Sequence, residues 1–170
     1  MRDKIAFAII CLFISSNILA KEPVLATLNT IYSNKIQKFS IGTYTFECRP
    51  YGVLTLENLY YTSNINSLCR KSIDNFYKKN PKSQEYVLRL LKDKQKYHIE
   101  IKNTECIVFA KGQMTLSELL LHKGLAVLKP IFKDAEFAST FLQTQIKAKR
   151  EEKGLWGVNI YESCVAELYK

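Results

Sequence analysis

Hydrophobic and polar residues alternate in two separate stretches of this chain, and each stretch is typical of a β-hairpin. In "IQKFSIGTYTFEC" (36–48) the alternation is interrupted at Gly42, which predicts a turn between two antiparallel strands. A third strand is expected over 53–56. The second hairpin is predicted from "YHIEI" (97–101) and "CIVFA" (106–110), which the polar turn "KNT" connects. About five short strands follow from these patterns.

Helical periodicity fills most of the remaining chain. "SLCRKSIDNFYKK" (67–79) and "SQEYVLRLLKDKQ" (83–95) are predicted as two helices that Pro81 separates. A further helix is predicted to begin at Thr115, which has capping-box spacing to Glu118, and to end at Gly124 in a left-handed conformation. A last helix is predicted over 134–153, ending at Gly154. Its buried side is expected to hold Phe137, Ala138, Phe141, Leu142 and Ile146.

The order of these elements indicates the fold class. About five strands, one helix inserted among them and further helices after them predict an α+β chain. The specific expectation is a five-stranded OB-like β-barrel with three to four helices.

The first twenty residues have the pattern of a secretory signal peptide. Arg2 and Lys4 precede the apolar run 5–20, and the polar "KEP" follows it. We therefore expect cleavage after Ala20, with an uncleaved N-terminal anchor as the alternative. Residues 1–20 would be the signal peptide and 21–170 a single domain with no transmembrane span, exported to the periplasm or secreted.

Charge narrows the class of partner. The chain has 25 basic and 16 acidic residues, for a net charge of +9. Loss of the signal peptide, with two basic and one acidic residue, lowers the net charge to about +8. Such a charge suits a polyanion, such as nucleic acid, anionic lipid or an acidic wall polymer, but it also serves solubility.

Cysteines support the prediction of export. The expected mature chain has four: Cys48, Cys69, Cys106 and Cys164. An even count in an exported chain predicts disulfides, and three pairings are open. We favour Cys48 with Cys69 and Cys106 with Cys164. A zinc site is not expected, because there is no C-x-x-C spacing and the chain has only two histidines.

Two motifs in the C-terminal half resemble the staphylococcal nuclease (thermonuclease) family. They are "KGLAVLKPIF" (123–132) and "AKREEKGLWG" (148–157). The residues that carry the match are Gly124, Leu125, Ala126, Ala148, Gly154, Leu155 and Trp156. These positions concern packing and helix ends, so the resemblance implies the fold of that family over about residues 24–158.

The family's catalytic strand typically reads R-L-x-G-I-D-x-P-E, and the corresponding stretch here is "RPYGVLTLE" (49–57). Arg49 and Glu57 match the arginine and the glutamate, whereas Leu54 replaces the aspartate. The resemblance implies that carboxylates hold calcium at a phosphodiester, that the glutamate positions water and that two arginines stabilise the developing charge. Arg49 and Glu57 are therefore predicted as remnants of a catalytic site, and the structural alternatives are a salt bridge between them or a role in capping the barrel end.

Three departures argue against that chemistry. The calcium-binding turn, usually D-G-D-T, is Ser33-Asn34-Lys35 here and has no carboxylate. Leu54 removes the second carboxylate. In the family, the second arginine comes from a D-x-x-G-R segment that joins the fourth and fifth strands. Here the short turn "KNT" joins those strands, so that segment and its arginine are absent. We therefore predict no metal and no cofactor, with calcium needed only if the chain is a nuclease.

These observations favour an exported, catalytically degenerate domain that acts as a binding or scaffold module in the cell envelope. The alternatives are a secreted phosphodiesterase acting on DNA or RNA and a nucleic-acid binder that does not cleave. Residues 62–80 are predicted to be a helical insertion that covers the old active-site face or forms a docking surface beside it, with a disulfide-stapled surface helix as the alternative. Candidate binding residues are Tyr51, Tyr60, Tyr61 and Arg70, whose aromatic rings and charge suit stacked bases. The expected partner is an envelope protein or a polyanion.

Overall fold

The structure, a computed structural model, describes residues 22–61, 67–158 and 160–165. The predicted signal peptide and residues 62–66 of the predicted insertion lie outside the described residues. The strands are β1 Val24–Ile31, β2 Gln37–Ile41, β3 Tyr44–Pro50, β4 Val53–Thr55, β5 Lys96–Lys102, β6 Glu105–Lys111, β7 Met114–Thr115 and β8 Ala126–Leu128. The helices are α1 Leu56–Tyr61, α2 Ser67–Lys79, α3 Pro81–Gln84, α4 Tyr86–Leu90, α5 Leu116–His122 and α6 Ala138–Arg150. A 3₁₀ turn, Gly154–Gly157, and a π-helical turn, Tyr161–Val165, follow α6.

Five strands close into a mixed β-barrel, so the predicted α+β fold with an OB-like barrel is confirmed. The strands pair in the order β3-β2-β1-β5-β6, and β3 then pairs with β6 to close the barrel. All pairs around the barrel are antiparallel except this closing pair, which is parallel. Both predicted hairpins are present, with turns at 42–43 and 103–104.

The five barrel strands are not the five that the hydrophobic pattern predicted. The strand β1 was missed, although it joins the two hairpins through β2 and β5. The predicted third strand exists as β4, but it pairs with β8 in a separate two-stranded sheet. Inward-facing side chains such as Leu28, Phe39 and Ile99 are completely buried in the barrel.

The predicted helices are confirmed in position but several were drawn too long. The helix α2 has the predicted bounds. The predicted helix 83–95 is replaced by α3 and α4, since Pro81 opens α3 and the chain turns again at Glu85. The helix α6 begins at Ala138 rather than at residue 134. Phe141 is fully buried, as predicted, but Leu142 is 43% exposed, so its placement in the core was wrong.

The glycines of the C-terminal motifs contact each other directly. Gly124 and Gly154 both have positive φ, and Leu155 N donates to Gly124 O at 2.9 Å. A Cβ at Gly124 would lie 2.0 Å from Lys153 O, and one at Gly154 would lie 2.3 Å from Gly124 O. The two segments therefore need glycine both for backbone conformation and for close approach. The predicted capping box of α5 is also present, between Thr115 and Glu118.

The favoured disulfide pairing was wrong. The bridges join Cys48 to Cys106 and Cys69 to Cys164. The first bridge connects β3 to β6 where the barrel closes, and the second connects α2 to the π-helical turn. The prediction paired Cys48 with Cys69, but the barrel brings β6 to β3, with Pro50 opposite Cys106. Within the described residues, no helix has the length and apolar character needed to cross a membrane.

Replacement of Gly124 by alanine is expected to destabilise the protein much more than the same change at Gly112. Both glycines have φ of about +60°, so each alanine has the strain of a left-handed backbone, about 1 kcal/mol. Only Gly124→Ala adds a clash, since nothing lies within 4 Å of a Cβ at Gly112. We expect a loss of about 3 kcal/mol or more at Gly124 in urea unfolding. Equal losses at the two sites would contradict the packing account.

The double replacement Cys48→Ala with Cys106→Ala is expected to lower the free energy of unfolding by about 4 kcal/mol, because the bridge closes a long loop at the barrel seam. Chemical unfolding under non-reducing conditions measures this loss.

Peptide mapping of the unmodified protein, also without reductant, should recover Cys48 linked to Cys106 and Cys69 linked to Cys164. A peptide that links Cys48 to Cys69 would refute the pairing.

Candidate functional site

Two adjoining cavities lie where the β1–β2 turn meets the helices α1 to α4. The larger, of about 590 Å³, is lined by Tyr32, Ser33, Lys35, Ile36, Glu57, Tyr61, Gln84 and Glu85. The smaller, of about 190 Å³, is lined by Glu57, Tyr60, Tyr61, Ile73, Asp74, Tyr77 and Gln84. Because the two share Glu57, Tyr61 and Gln84, we describe them together as the Glu57 cleft. It contains one of the two predicted catalytic remnants.

Glu57 lies in the first turn of α1, and local hydrogen bonds explain why the helix begins there. Asn58 Oδ1 accepts from Thr55 N at 3.0 Å and from Thr55 Oγ1 at 2.9 Å. Asn58 N in turn donates to Thr55 Oγ1 at 3.3 Å. These bonds satisfy backbone groups at the end of β4 and hold the first turn of α1 in place. The position of Glu57 relative to the barrel is thereby set.

Asn34 occupies the turn where the resemblance implies a calcium ligand, and it is almost fully buried, with 1% of its surface exposed. Its Nδ2 donates to Glu57 Oε1 at 2.9 Å and to Ser83 O at 3.0 Å. Its Oδ1 accepts from Val87 N at 2.9 Å. One amide thus ties the β1–β2 turn to α1, α3 and α4.

Tyr77 approaches the same carboxyl from α2. Its hydroxyl donates to Glu57 Oε1 at 2.9 Å. Burial and the neighbouring carboxylate both raise the pKa of Tyr77 well above its usual value, so the hydroxyl keeps its proton and remains a donor. Glu57 Oε1 therefore has two donors, whereas its Oε2 is buried and accepts no hydrogen bond from the described residues.

Burial dominates the acidity of Glu57. It raises the pKa of the carboxyl above its usual value of 4.5, and hydrogen bonds, including those from Tyr77 and Asn34, only partly offset this effect. The cause is desolvation, which disfavours the charged form more than the hydrogen bonds favour it.

Arg49 is not part of this site. It is exposed on β3, and no acidic side chain of the described residues lies within salt-bridge distance of it. The structural alternative that pairs Arg49 with Glu57 in a salt bridge was therefore wrong. Of the two predicted catalytic remnants, only Glu57 lines the cleft, and Arg49 forms no salt bridge with it.

Three of the four predicted binding residues form one group. The rings of Tyr60 and Tyr61 meet edge to face with centroids 5.2 Å apart, and Arg70 Cζ lies 6.0 Å from the Tyr60 ring. Tyr61 is 71% exposed, and Lys35 Nζ lies 5.4 Å from its ring. All these contacts involve α1, α2 or the β1–β2 turn.

Tyr51, the fourth predicted binding residue, belongs to a different environment. Its hydroxyl donates to Asp134 Oδ2 at 2.8 Å, and its ring packs edge-on against Phe132 and Phe137. Burial and this bond to Asp134 raise the pKa of Tyr51 to about 12. Lys102 Nζ also lies 5.9 Å from the centroid of its ring, so Tyr51 has both packing contacts and a cation beside it.

The residues at the implied calcium position do not fit a hard cation. Asn34 directs its amide hydrogens at Glu57, Lys35 adds positive charge, and Leu54 pairs with Val127 in the β4–β8 sheet. In the described part of the chain, no three histidine, cysteine, aspartate or glutamate side chains come together as a metal site would require. Calcium prefers several carboxylate and carbonyl oxygens, and the side chains here do not provide them.

Sequence reasoning missed the neighbours that matter most to Glu57. Tyr77 follows Ile73 by four residues and Phe76 by one, so its place on the buried side of α2 was detectable from periodicity. Gln84 and Glu85 line the larger cavity because the chain turns between α3 and α4. The predicted continuous helix did not include this turn.

Three features define the structural class of this chain. They are the OB-like barrel, a helix inserted before the second hairpin, and a glycine-tryptophan turn after the last long helix. The family model of staphylococcal nuclease homologues matches residues 71–158, just over half of the chain. The chain belongs to this family. The match begins after Arg49 and Glu57, so it supports the fold and leaves the equivalence of those two residues a prediction. A comparison with curated proteins gave no match.

Glu57→Gln is expected to remove a pH dependence of stability. Because the pKa of Glu57 is raised on folding, the wild-type protein should lose stability as the pH rises above about 4.5 and through the pKa of the folded state. The glutamine variant has no such group, so its stability relative to wild type should improve over the same range. Urea unfolding at several pH values measures this, with the exposed Glu47→Gln as control. Parallel profiles for wild type and Glu57→Gln would contradict the burial account.

Proposed function

We propose that the chain is an exported member of the staphylococcal nuclease homologue family that binds a partner in the cell envelope and does not hydrolyse phosphodiesters. The observation that carries this proposal is the state of Glu57. Its Oε1 is engaged by Asn34 and Tyr77, and its Oε2 is buried. A general base must reach the proton that it removes, directly or through one water molecule.

The surroundings of Glu57 support the loss of catalysis. The developing charge of a phosphodiester transition state needs cations or positioned donors, and removal of one such donor typically costs 10² to 10³ in rate. Lys35 is the cationic side chain that lines the cleft, and its ammonium faces the Tyr61 ring. Arg49 is exposed on β3 and is not one of the residues that line the cleft.

Two disulfides support the proposed location. Such bridges persist in oxidising compartments and are rare in the cytosol. The N-terminal pattern of two basic residues, an apolar run and Ala20 agrees with export to the periplasm or medium.

A nucleic-acid binder that does not cleave is the second candidate, because Arg70 lies over Tyr60 beside the exposed Tyr61. Stacking and cationic side chains of this kind serve single strands. The acidic side chains of the cleft argue against a phosphate backbone there. Protein partners of the envelope remain the first candidate.

The purified protein is expected to show no hydrolysis of DNA or RNA, with or without calcium, above the level of its Glu57→Gln variant. The measurement is release of acid-soluble nucleotides over a range of neutral to alkaline pH, with circular dichroism to show that both proteins are folded. Calcium-stimulated turnover that Glu57→Gln abolishes would overturn the proposal and establish the secreted phosphodiesterase instead.

A further inference from the structure

The side chains that line the Glu57 cleft include more carboxyl than basic groups, whereas the chain as a whole is basic; Arg70 does not line the cleft but lies against the Tyr60 ring. The chain has nine more basic than acidic residues, yet three carboxyl side chains and one ammonium line the cleft. The carboxyl groups belong to Glu57, Asp74 and Glu85, and the ammonium belongs to Lys35. Even with Glu57 protonated, the acidic side chains outnumber the basic one.

Two of these carboxylates have no basic partner among the described residues. Neither Asp74 nor Glu85 forms a salt bridge with a basic side chain of the described residues. Asp74 has Arg70 four residues before it and Lys78 four residues after it on α2, a spacing that permits ion pairs. Both carboxylates are exposed and free to meet a ligand.

The tyrosine rings of the cleft already hold cations. Lys35 Nζ lies 5.4 Å from the centroid of Tyr61, and Arg70 Cζ lies 6.0 Å from that of Tyr60. These distances are within the range in which a ring face attracts an ammonium or guanidinium. Tyr32, which also lines the larger cavity, is 55% exposed. The cleft thus combines aromatic faces with unpaired carboxylates over about 590 Å³ and an adjoining 190 Å³.

We propose that the Glu57 cleft binds the guanidinium or ammonium group of a basic peptide segment, with Asp74 and Glu85 as charge partners and Tyr61 as the aromatic face. This assignment rests on the proposed binding function and names the chemistry of the partner. A guanidinium forms bidentate bonds with a carboxylate and stacks on a tyrosine ring at the same time. A phosphate group in the same place would face two carboxylates and one ammonium.

Charge variants of opposite sign test the proposal. Asp74→Asn with Glu85→Gln should weaken binding of a short arginine-rich peptide about tenfold at low ionic strength. Lys35→Gln should strengthen binding, because it removes the competing cation. The control pair Glu47→Gln with Asp93→Asn removes two exposed acids that do not line the cleft, and it should leave affinity nearly unchanged.

Titration by isothermal calorimetry measures affinity, and amide chemical shifts of Lys35, Tyr61 and Gln84 locate the site. Free spermidine is a second ligand, and binding of the amine alone would assign the site to small amines of the same charge class. Absence of binding by both ligands would refute the proposal, as would equal affinity for wild type and Asp74→Asn/Glu85→Gln. The proposal would also be refuted if a single-stranded oligonucleotide shifted the same amides and bound more tightly to Asp74→Asn/Glu85→Gln than to wild type. The nuclease assay is read separately, so failure of cation binding and discovery of turnover are distinguishable.

Discussion

The closure of the barrel between β3 and β6 is the constraint on which the rest of the structure depends. The parallel contact consists of only two register pairs, Arg49 with Glu105 and Pro50 with Cys106. Tyr51 N adds a hydrogen bond to Cys106 O at 3.1 Å, and the bridge from Cys48 to Cys106 fixes the seam covalently. So short a ladder contributes few backbone bonds, which makes the covalent link important for holding the barrel shut.

The same seam explains why Arg49 is exposed, whereas Glu57 lines the cleft. Side chains alternate between the two faces of a strand, and Cys48 must point inward to reach Cys106. Arg49 therefore points outward and is exposed, while Pro50 is buried again. After the seam the chain turns at Gly52, whose φ is +71° and where a Cβ would lie 2.5 Å from the Phe132 ring. This turn leads through β4 into α1 and carries Glu57 inward to Asn34 and Tyr77.

Features that depend on neighbouring residues were predictable from the sequence. The hairpin at Gly42, the capping box at Thr115 and the glycine stop at Gly124 are all present, because each is decided within a few residues. The strand β1 was missed because Val24, Leu25 and Ala26 are consecutive apolar residues that conceal its alternation.

Features that depend on the approach of distant segments were not predictable. The partner of Cys48 is decided by barrel closure across 58 residues, and sequence spacing pointed to a different cysteine. Asn34 was recognised as a non-carboxylate, but its bonds to Glu57, Ser83 and Val87 require α1, α3 and α4 to converge on one turn. No local pattern in the sequence encodes that convergence.

Net charge describes the whole molecule, whereas recognition is decided within about 8 Å, the screening length at physiological salt. Some of the basic residues stabilise the fold and lie in a helix end. Lys147, Lys149 and Arg150 are in the last turn of α6, where cations interact favourably with the helix dipole. Counting such residues toward a polyanion site overstates the positive charge available at the cleft. Asp74 and Glu85 line the cleft without a salt bridge to a described basic side chain, so a basic chain can offer a cleft with carboxylates available to a cationic group.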